Sequence, residues 1–324
     1  MTTPASNPVV SVIVPNYNHA PYLKQRLESI FEQSYNHFEV IILDDCSIDN
    51  SRAVIETYRH HPKVSQVVYN ETNSGSTFRQ WQKGIALARG KWIWIAESDD
   101  LCEPDFLEQL MQDSIPSSCG LRYAVSYPMN ADGYTEVSFQ PYKVRQGVWQ
   151  GVHYLSEHLL RTCTIPNVSA TLIQKDLLQS VLTADITAFK LFGDWTAYAH
   201  LSLLTDIYYT TQTRNYNRQH NNNVRSSSFR QGNYYKESPL FRWYLAKYIT
   251  EKAPAGKCKE LLRQNKQLAF EERGMRGCEL IRNHKLLKSI PFILQASLKP
   301  RPNLYYIKSA VYWLFHKPES VCSY

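Results

Sequence analysis

Along the first hundred positions, apolar residues come in short dense runs, each followed by a longer stretch with helical spacing. Val9 to Pro15 reads VVSVIVP, a β-branched run that a proline ends. Such continuity predicts a strand covered on both faces, because a half-exposed strand alternates apolar with polar. FEVIILDD from Phe38, KVSQVVYN from Lys63 and WIWIAESDD from Trp92 predict three more strands. Between them, YLKQRLESIFEQ sets Leu23, Leu27, Ile30 and Phe31 on one helical face. DNSRAVIETY predicts a second helix, TFRQWQKGIALARG a third closed by Gly90 as a C-cap, and EPDFLEQLM a fourth.

Strands alternating with helices predict a parallel α/β sheet with right-handed crossovers. Ligands of such sheets bind beyond the carboxyl ends of the strands. Polar clusters collect at those ends: Asn16-Tyr17-Asn18, Asp44-Asp45, Asn73-Ser74-Gly75 and Glu97 to Asp100. From Gly120 the pattern is irregular, with strand-like RYAVSYPM and NVSATLIQ, then helical DWTAYAHLSLL. DIYYTTQTRNYNRQHNNNVRSSS passes into a polar loop, and beyond Phe229 the chain reads as helical and basic. The division expected is a domain over 1–225 and a helical region over 226–324.

The net charge of +7 is local, because Arg282 to Lys317 holds seven Lys and Arg with no Asp or Glu. That placement describes a surface-binding tail rather than a nucleic-acid-binding coat. Leu304, Ile307, Val311, Leu314 and Phe315 form a stripe in it, flanked by Tyr305, Tyr306, Tyr312 and Trp313. Cations with interfacial aromatics predict a helix lying on an anionic membrane; packing on the α/β domain is the alternative. The seven cysteines are scattered without a CxxC, which fits a reducing compartment. Met1 to Pro8 is short and polar, so no signal peptide is expected.

No GxGxxG follows the first strand and no GxxxxGK[ST] occurs, which disfavours dinucleotide dehydrogenases and P-loop enzymes. What remains is a groove floored by carboxylates, which repel a diphosphate unless a hard cation such as Mg2+ or Mn2+ lies between. Each acid also has a plainer role. Asp99 and Asp100 could cap the fourth helix, Asp44-Asp45 could make a turn, and Asp194 could cap its own helix.

VSVIVPNYNHAPYLKQRLESIFEQSYNHFEVIILDDCSIDNS, NSGSTFRQWQKGIALARGKWIWIAESDD, GDW at 193–195 and YNRQH at 216–220 together resemble the family 2 glycosyltransferases of the GT-A fold. The resemblance is dense over Val9 to Asp100, patchier to Arg225 and absent beyond. It implies that Pro15, Asn16, Tyr17 and Gly75 border the nucleotide and that Asp44 or Asp45 bonds the base. Glu97-Ser98-Asp99 stands in the place of the family's DxD. Asp99 is then the metal ligand for Mn2+ or Mg2+, and Glu97 a ribose or metal contact, with Glu where the family has Asp. His220 matches a histidine that approaches the diphosphate or its metal. Asp194 matches the catalytic base, with Gly193 where the family has an acid, and Trp195 offers a face for the acceptor sugar. Asp100 and Asn167, with Ser169, are placed at the acceptor and sugar pocket.

The function so implied is inverting transfer of a sugar from a nucleotide sugar, UDP by default, in bacterial surface-polysaccharide (O-antigen or capsule) assembly. The acceptor would be a glycan or polyprenyl-diphosphate-linked glycan, at the cytoplasmic face of the membrane. The alternative is a non-catalytic module of the same fold that binds a sugar nucleotide or tethers partners to membranes.

Overall fold

The four apolar runs form strands β1 (Val10–Asn16), β2 (Phe38–Asp44), β3 (Val64–Tyr69) and β4 (Trp92–Ile95). The computed structural model describes residues 8–135, 143–187, 189–220, 233–282 and 288–292. Every residue of β1, β2 and β4 is buried, whereas β3 is half-exposed at the sheet edge. The order β3-β2-β1-β4 is parallel throughout. Helices α1 (Ala20–Phe31), α2 (Ser51–Tyr58) and α3 (Thr77–Leu87) connect these strands. Val10, Val12 and Val14 pack with Leu23, Leu27 and Ile30 of α1 in the main core cluster. Burying each of those three helical side chains contributes about 1.5–3 kcal/mol, which is what docks the helix.

Helix α3 does not end at Gly90. It stops at Leu87, and Ala88 is already extended. Gly90 instead meets β1: a Cβ there would stand 2.6 Å from Ser11 N and 2.7 Å from Val10 C. Its N–H donates to Ser11 Oγ (2.8 Å), and Ser11 Oγ donates to Glu39 (2.7 Å). The glycine serves backbone approach, not helix termination.

The second half of the sheet is mixed, where a mainly parallel one was expected. It contains β5 (Leu101–Cys102), β6 (Leu121–Met129), β7 (Gly147–Trp149), β8 (Thr171–Gln174) and β9 (Ile207–Arg218). β8 runs antiparallel to β4 and β6, β6 is parallel to β9, and β5 and β7 pair antiparallel with β9. β9 is the long element that joins these pieces. It bulges after Thr210, so that Ala124 faces Thr210 but Val125 faces Arg214. The helices here are short: α4 (Phe106–Leu110), α5 (Gly151–Tyr154), α6 (Lys175–Val181), α7 (Ala184–Thr187) and α8 (Gly193–Leu201).

The chain divides into two compact units, Met1–Gln231 and Gly232–Tyr324. In the second, α9 (Asn233–Lys252) and α10 (Ala255–Arg282) pack through a buried ion pair. Arg242 Nε donates to Glu272 Oε1 (3.0 Å), and Asn265 Nδ2 donates to the Arg242 carbonyl (2.8 Å). The aromatic stripe over 304–315 lies outside the described residues. Among the described residues, no helix is long and apolar enough to cross a membrane.

Candidate active site

The parallel register sets Asn16 of β1 opposite Asp44 of β2, and the polar strand ends gather there. Asn16 Nδ2 donates to Asp44 Oδ1 (2.8 Å) and to Ser47 Oγ (3.1 Å), while its buried Oδ1 has no partner among the described residues. Asp44 also accepts the N–H and hydroxyl of Ser47 (3.0 and 2.6 Å), closing the turn after β2. Asp45 accepts from Asn70 Nδ2 (2.6 Å), Ser74 N (2.9 Å), Ser74 Oγ (2.7 Å) and Gln80 Nε2 (2.9 Å). Asp45 Oδ1 accepts three of these bonds and Oδ2 one, while Asp44 Oδ1 accepts two and Oδ2 one. At two lone pairs per oxygen, each carboxylate can take a further donor at Oδ2, so both candidates for a base contact have capacity.

Tyr17, next to Asn16, is 46% exposed, and Pro15 is buried. Asn18 (φ 57°) and Cys46 (φ 63°) both take the left-handed backbone conformation, as does the exposed Gly75 (φ 70°). Left-handed non-glycine residues are uncommon, and two of them in adjacent strand-end loops mark a locally constrained rim.

The acids after β4 are individually constrained. Trp81 Nε1 donates to Glu97 Oε1 (2.9 Å), and Glu97 N donates to Ser169 Oγ (3.1 Å). Burial pushes the Glu97 carboxyl up to about 8, with the Asp99 charge adding to it and the Trp81 bond opposing. Ser98 is buried, its hydroxyl 2.8 Å from His19 Nδ1. Asp99 Oδ2 lies 3.0 Å from His220 Nε2. Burial would raise the Asp99 carboxyl, but the His220 bond and the charges of both imidazoles hold it below its usual range. His19 is itself lowered by burial, against the pull of Asp99. The ligand atoms of His19, Asp99 and His220 all lie within 4.8 Å of one another, an arrangement that could hold a metal ion.

Asp100 and Asn167 are not open acceptor contacts. Asp100 is 2% exposed, accepting from Arg218 N (3.0 Å) and from Asn167 Nδ2 (2.7 Å). Burial pushes it up to about 7, and the Asp99 charge adds to this. Asn167 in turn accepts from Ser126 Oγ (3.0 Å), so both residues belong to a buried hydrogen-bond network beneath the strand ends. Neither Asp99 nor Asp100 caps a helix, because β5 intervenes before α4, whose N-cap position is Asp105.

Two arginines underlie the acids. Arg218 Nε donates to the Asp99 carbonyl (2.8 Å) and Nη1 to the Ala131 carbonyl (2.7 Å), so the end of β9 carries His220 to Asp99. Arg26 of α1 is wholly buried, with its guanidinium 5.0 Å from the Trp94 ring centroid and, among the described residues, no nitrogen or oxygen partner for its three nitrogens. Its charge favours the ionised forms of Glu97 and Asp100, which compensates in part for burying them.

Asp194 sits half-buried in the first turn of α8, its Oδ1 accepting from Trp195 N (2.7 Å). Two routes connect it with Glu97. The charges of Asp194 and Glu97 both act on the buried phenol of Tyr198. Gly193 packs on Phe78, whose ring meets Trp81 edge-on at 4.8 Å, and Trp81 reaches Glu97. A Cβ at Gly193 would stand 2.3 Å from the Phe78 ring, so the acid expected there has no room. Trp195 is a correction. It is 9% exposed, stacked on Phe192 at 5.2 Å, and donates Nε1 to the Leu159 carbonyl (2.7 Å). It belongs to the core and offers no open face to an acceptor.

The structure thus brings together Asn16, Asp44, Asp45, Glu97, Ser98, Asp99 and His220. Sequence reasoning missed His19, Arg26, Trp81, Tyr198 and Arg218. His19 and Arg218 did carry a signal, since both lie inside motifs at strand ends, NYNHA and YNRQH.

Residues 11–151 match the model of glycosyl transferase family 2. TuaG of Bacillus subtilis strain 168, a glycosyltransferase assigned to teichuronic acid biosynthesis, is 35% identical over 126 residues, 39% of this chain and 50% of TuaG. Staphylococcus aureus TarS, a poly(ribitol-phosphate) beta-N-acetylglucosaminyltransferase, is 36% identical over 102 residues, 30% of this chain and 17% of TarS. The matches thus span half or less of these relatives' length. The crystal structure of TarS residues 1–349 with UDP-GlcNAc superposes with TM-score 0.65 at 19% identity, covering 93% of this chain and 81% of that one. The mannosyltransferase PcManGT of Pyrobaculum calidifontis, solved with GDP-Man and Mn2+, gives TM-score 0.55 at 16% identity, covering 96% and 82%. The fold is that of these proteins, the α/β GT-A fold.

Proposed function

We propose that this chain, which belongs to glycosyl transferase family 2 through residues 11–151, transfers a sugar from a nucleotide-sugar donor, with inversion, onto a surface-polysaccharide acceptor. The observation that carries this reading is the meeting of Asp99 with His220 at 3.0 Å, from segments 121 residues apart, at the edge where β1 and β2 present Asn16 and Asp44. The names of the relatives support the same direction: they act in cell-wall glycan assembly, and TarS was solved with UDP-GlcNAc.

The donor would lie across the strand ends. Tyr17 is exposed for stacking on a base, Asp44 retains an acceptor position for a ring N–H, and the buried Oδ1 of Asn16 awaits a donor. Asp99 and His220 fit a divalent cation, since one carboxylate and one imidazole already stand at ligand spacing. Such a cation, when bound, supplies charge neutralisation to a departing diphosphate.

The remaining work falls to side chains of this chain. The Asp194 carboxylate takes the proton from the acceptor hydroxyl as that oxygen attacks the anomeric carbon and the bond from that carbon to the nucleoside diphosphate breaks, the electron pair leaving with the diphosphate. The Glu97 carboxyl, held by Trp81 and raised by burial, can donate or accept a hydrogen bond to the sugar nucleotide. Arg26 places a fixed positive charge under the groove, where it costs no reorganisation when the leaving group becomes anionic. The acceptor is proposed as a lipid-linked glycan met at the cytoplasmic membrane surface, on the strength of the basic aromatic sequence over 282–317.

The test is transfer or slow hydrolysis of a panel of UDP- and GDP-sugars, with and without EDTA, by the unaltered chain and by Asp99→Ala and Asp194→Asn. Turnover lost in both variants supports the reading. Nucleotide binding with an intact donor after prolonged incubation would make the chain a sugar-nucleotide-binding module instead.

A further inference from the structure

Building on the cation-assisted reading of the groove, we propose that the ion is held by three side chains, His19, Asp99 and His220, while Glu97 stays outside its coordination. This one-carboxylate, two-imidazole site selects transition-metal dications over Mg2+ and binds them before any nucleotide arrives.

The spacing comes first. Bonds of about 2.1 Å place adjacent ligand atoms about 3 Å apart at right angles and opposite ones about 4.2 Å apart. Asp99 Oδ2 and His220 Nε2 already stand 3.0 Å apart, and the whole triad lies within 4.8 Å. A small contraction closes it around an ion.

Each ligand is also oriented from behind, as metal ligands require. Ser98 Oγ lies 2.8 Å from His19 Nδ1, a contact that orients the imidazole ring. The rings of His19 and His220 meet edge to face at 5.5 Å, and Tyr22 packs on His220 at 5.3 Å. Arg218 fixes the Asp99 carbonyl at 2.8 Å. The three ligands arrive from the loop before α1, the end of β4 and the residues after β9, so only the assembled sheet creates the site.

Glu97 is the group a carboxylate-rich site would need, and it is directed elsewhere. Its Oε1 is bonded to Trp81 Nε1, and the triad within ligand spacing excludes it. One hard oxygen donor and two borderline nitrogens remain. Mg2+ demands oxygen ligands in near-ideal octahedra, whereas imidazole favours the later divalent metals. The expected order is Zn2+ and Co2+ above Mn2+, with Mg2+ last.

Chelator-treated protein is titrated with Zn2+, Co2+, Mn2+ and Mg2+ by calorimetry, and with Co2+ by visible absorption, all without nucleotide. One ion per chain is expected in that order, with Co2+ bands indicating nitrogen ligation. His19→Ala should weaken Co2+ binding by about tenfold to a hundredfold and change its spectrum. An unchanged affinity and spectrum in His19→Ala, equal binding of Mg2+ and Mn2+, or no ion bound without nucleotide would each overturn the proposal. If Asp99→Asn loses the ion while His19→Ala keeps it unchanged, the three-ligand proposal falls and the cation of the proposed function stands. If Asp99→Asn keeps it too, the cation in the proposed function falls as well. The competition between metals uses the unaltered chain, so it decides the question even if a variant fails to fold.

Discussion

Trp81 on α3 and Glu97 beyond β4 are joined by one hydrogen bond of 2.9 Å, indole N–H to carboxyl oxygen. It positions the acid that stands where the family pattern has Asp, and it counters the upward push of burial on that carboxyl. Trp81→Phe keeps much of the packing and removes the donor. The expected cost is about 1–3 kcal/mol, because a buried acceptor loses its partner. Urea unfolding at neutral pH measures it, and calorimetry with UDP should show weaker binding in the same variant.

Gly193 and Phe78 share a space that admits only one of them. Gly193→Ala puts a methyl group against the Phe78 ring. Overpacking of that kind costs about 1–3 kcal/mol. The double variant with Phe78→Leu should be less unstable than the two single losses summed, since the sites are in contact. Thermal melts of the four proteins form the cycle.

Asp194→Asn retains an oxygen for the Trp195 N–H and so should leave the fold intact. The amide cannot take a proton, and kcat should drop by about 10²- to 10⁴-fold with donor affinity little changed. Calorimetry with donor beside single-turnover transfer separates the two readouts. A parallel loss of donor affinity would make Asp194 a binding residue.

Far from the groove, Glu39 gives a pH dependence of known sign. Burial would raise its carboxyl, but Arg89 and Ser11 side chains and the Arg89 N–H together hold it below the usual value. A depressed folded-state pKa contributes stability above the unfolded value, and that contribution is lost as pH falls through the folded one. Glu39→Gln should therefore lower the melting temperature at pH 7 more than at pH 3. An equal shift at both pH values would show that the ion pair with Arg89 adds nothing.

The legible and illegible parts of the sequence divide on a physical line. β1, β2 and β4 were readable because strands buried on both faces must be continuously apolar, and their helices repeat at 3.6 residues. β5 and β7 have two and three residues, too short for any periodicity, and only pairing to distant β9 makes them strands. Gly90 was misread because close backbone approach and a C-cap call for the same residue. Trp195 was misread because neighbours on a helix point about 100° apart, so a core-facing ring can adjoin a half-buried acid. His19 looked like any histidine in a polar loop until the sheet placed it beside Asp99.

The length of β9 bears on the order in which the protein is made. A nascent chain that has emerged as far as Gly151 contains the whole matched stretch, and its four parallel strands can pair. Yet Asn167, Ser169, Arg218 and His220, which hydrogen-bond to the acids after β4, have not been synthesised. Truncation before residue 220 should therefore yield a polypeptide that homology still recognises but that has lost His220, the partner of Asp99. The chain becomes recognisable to comparison well before it can become competent.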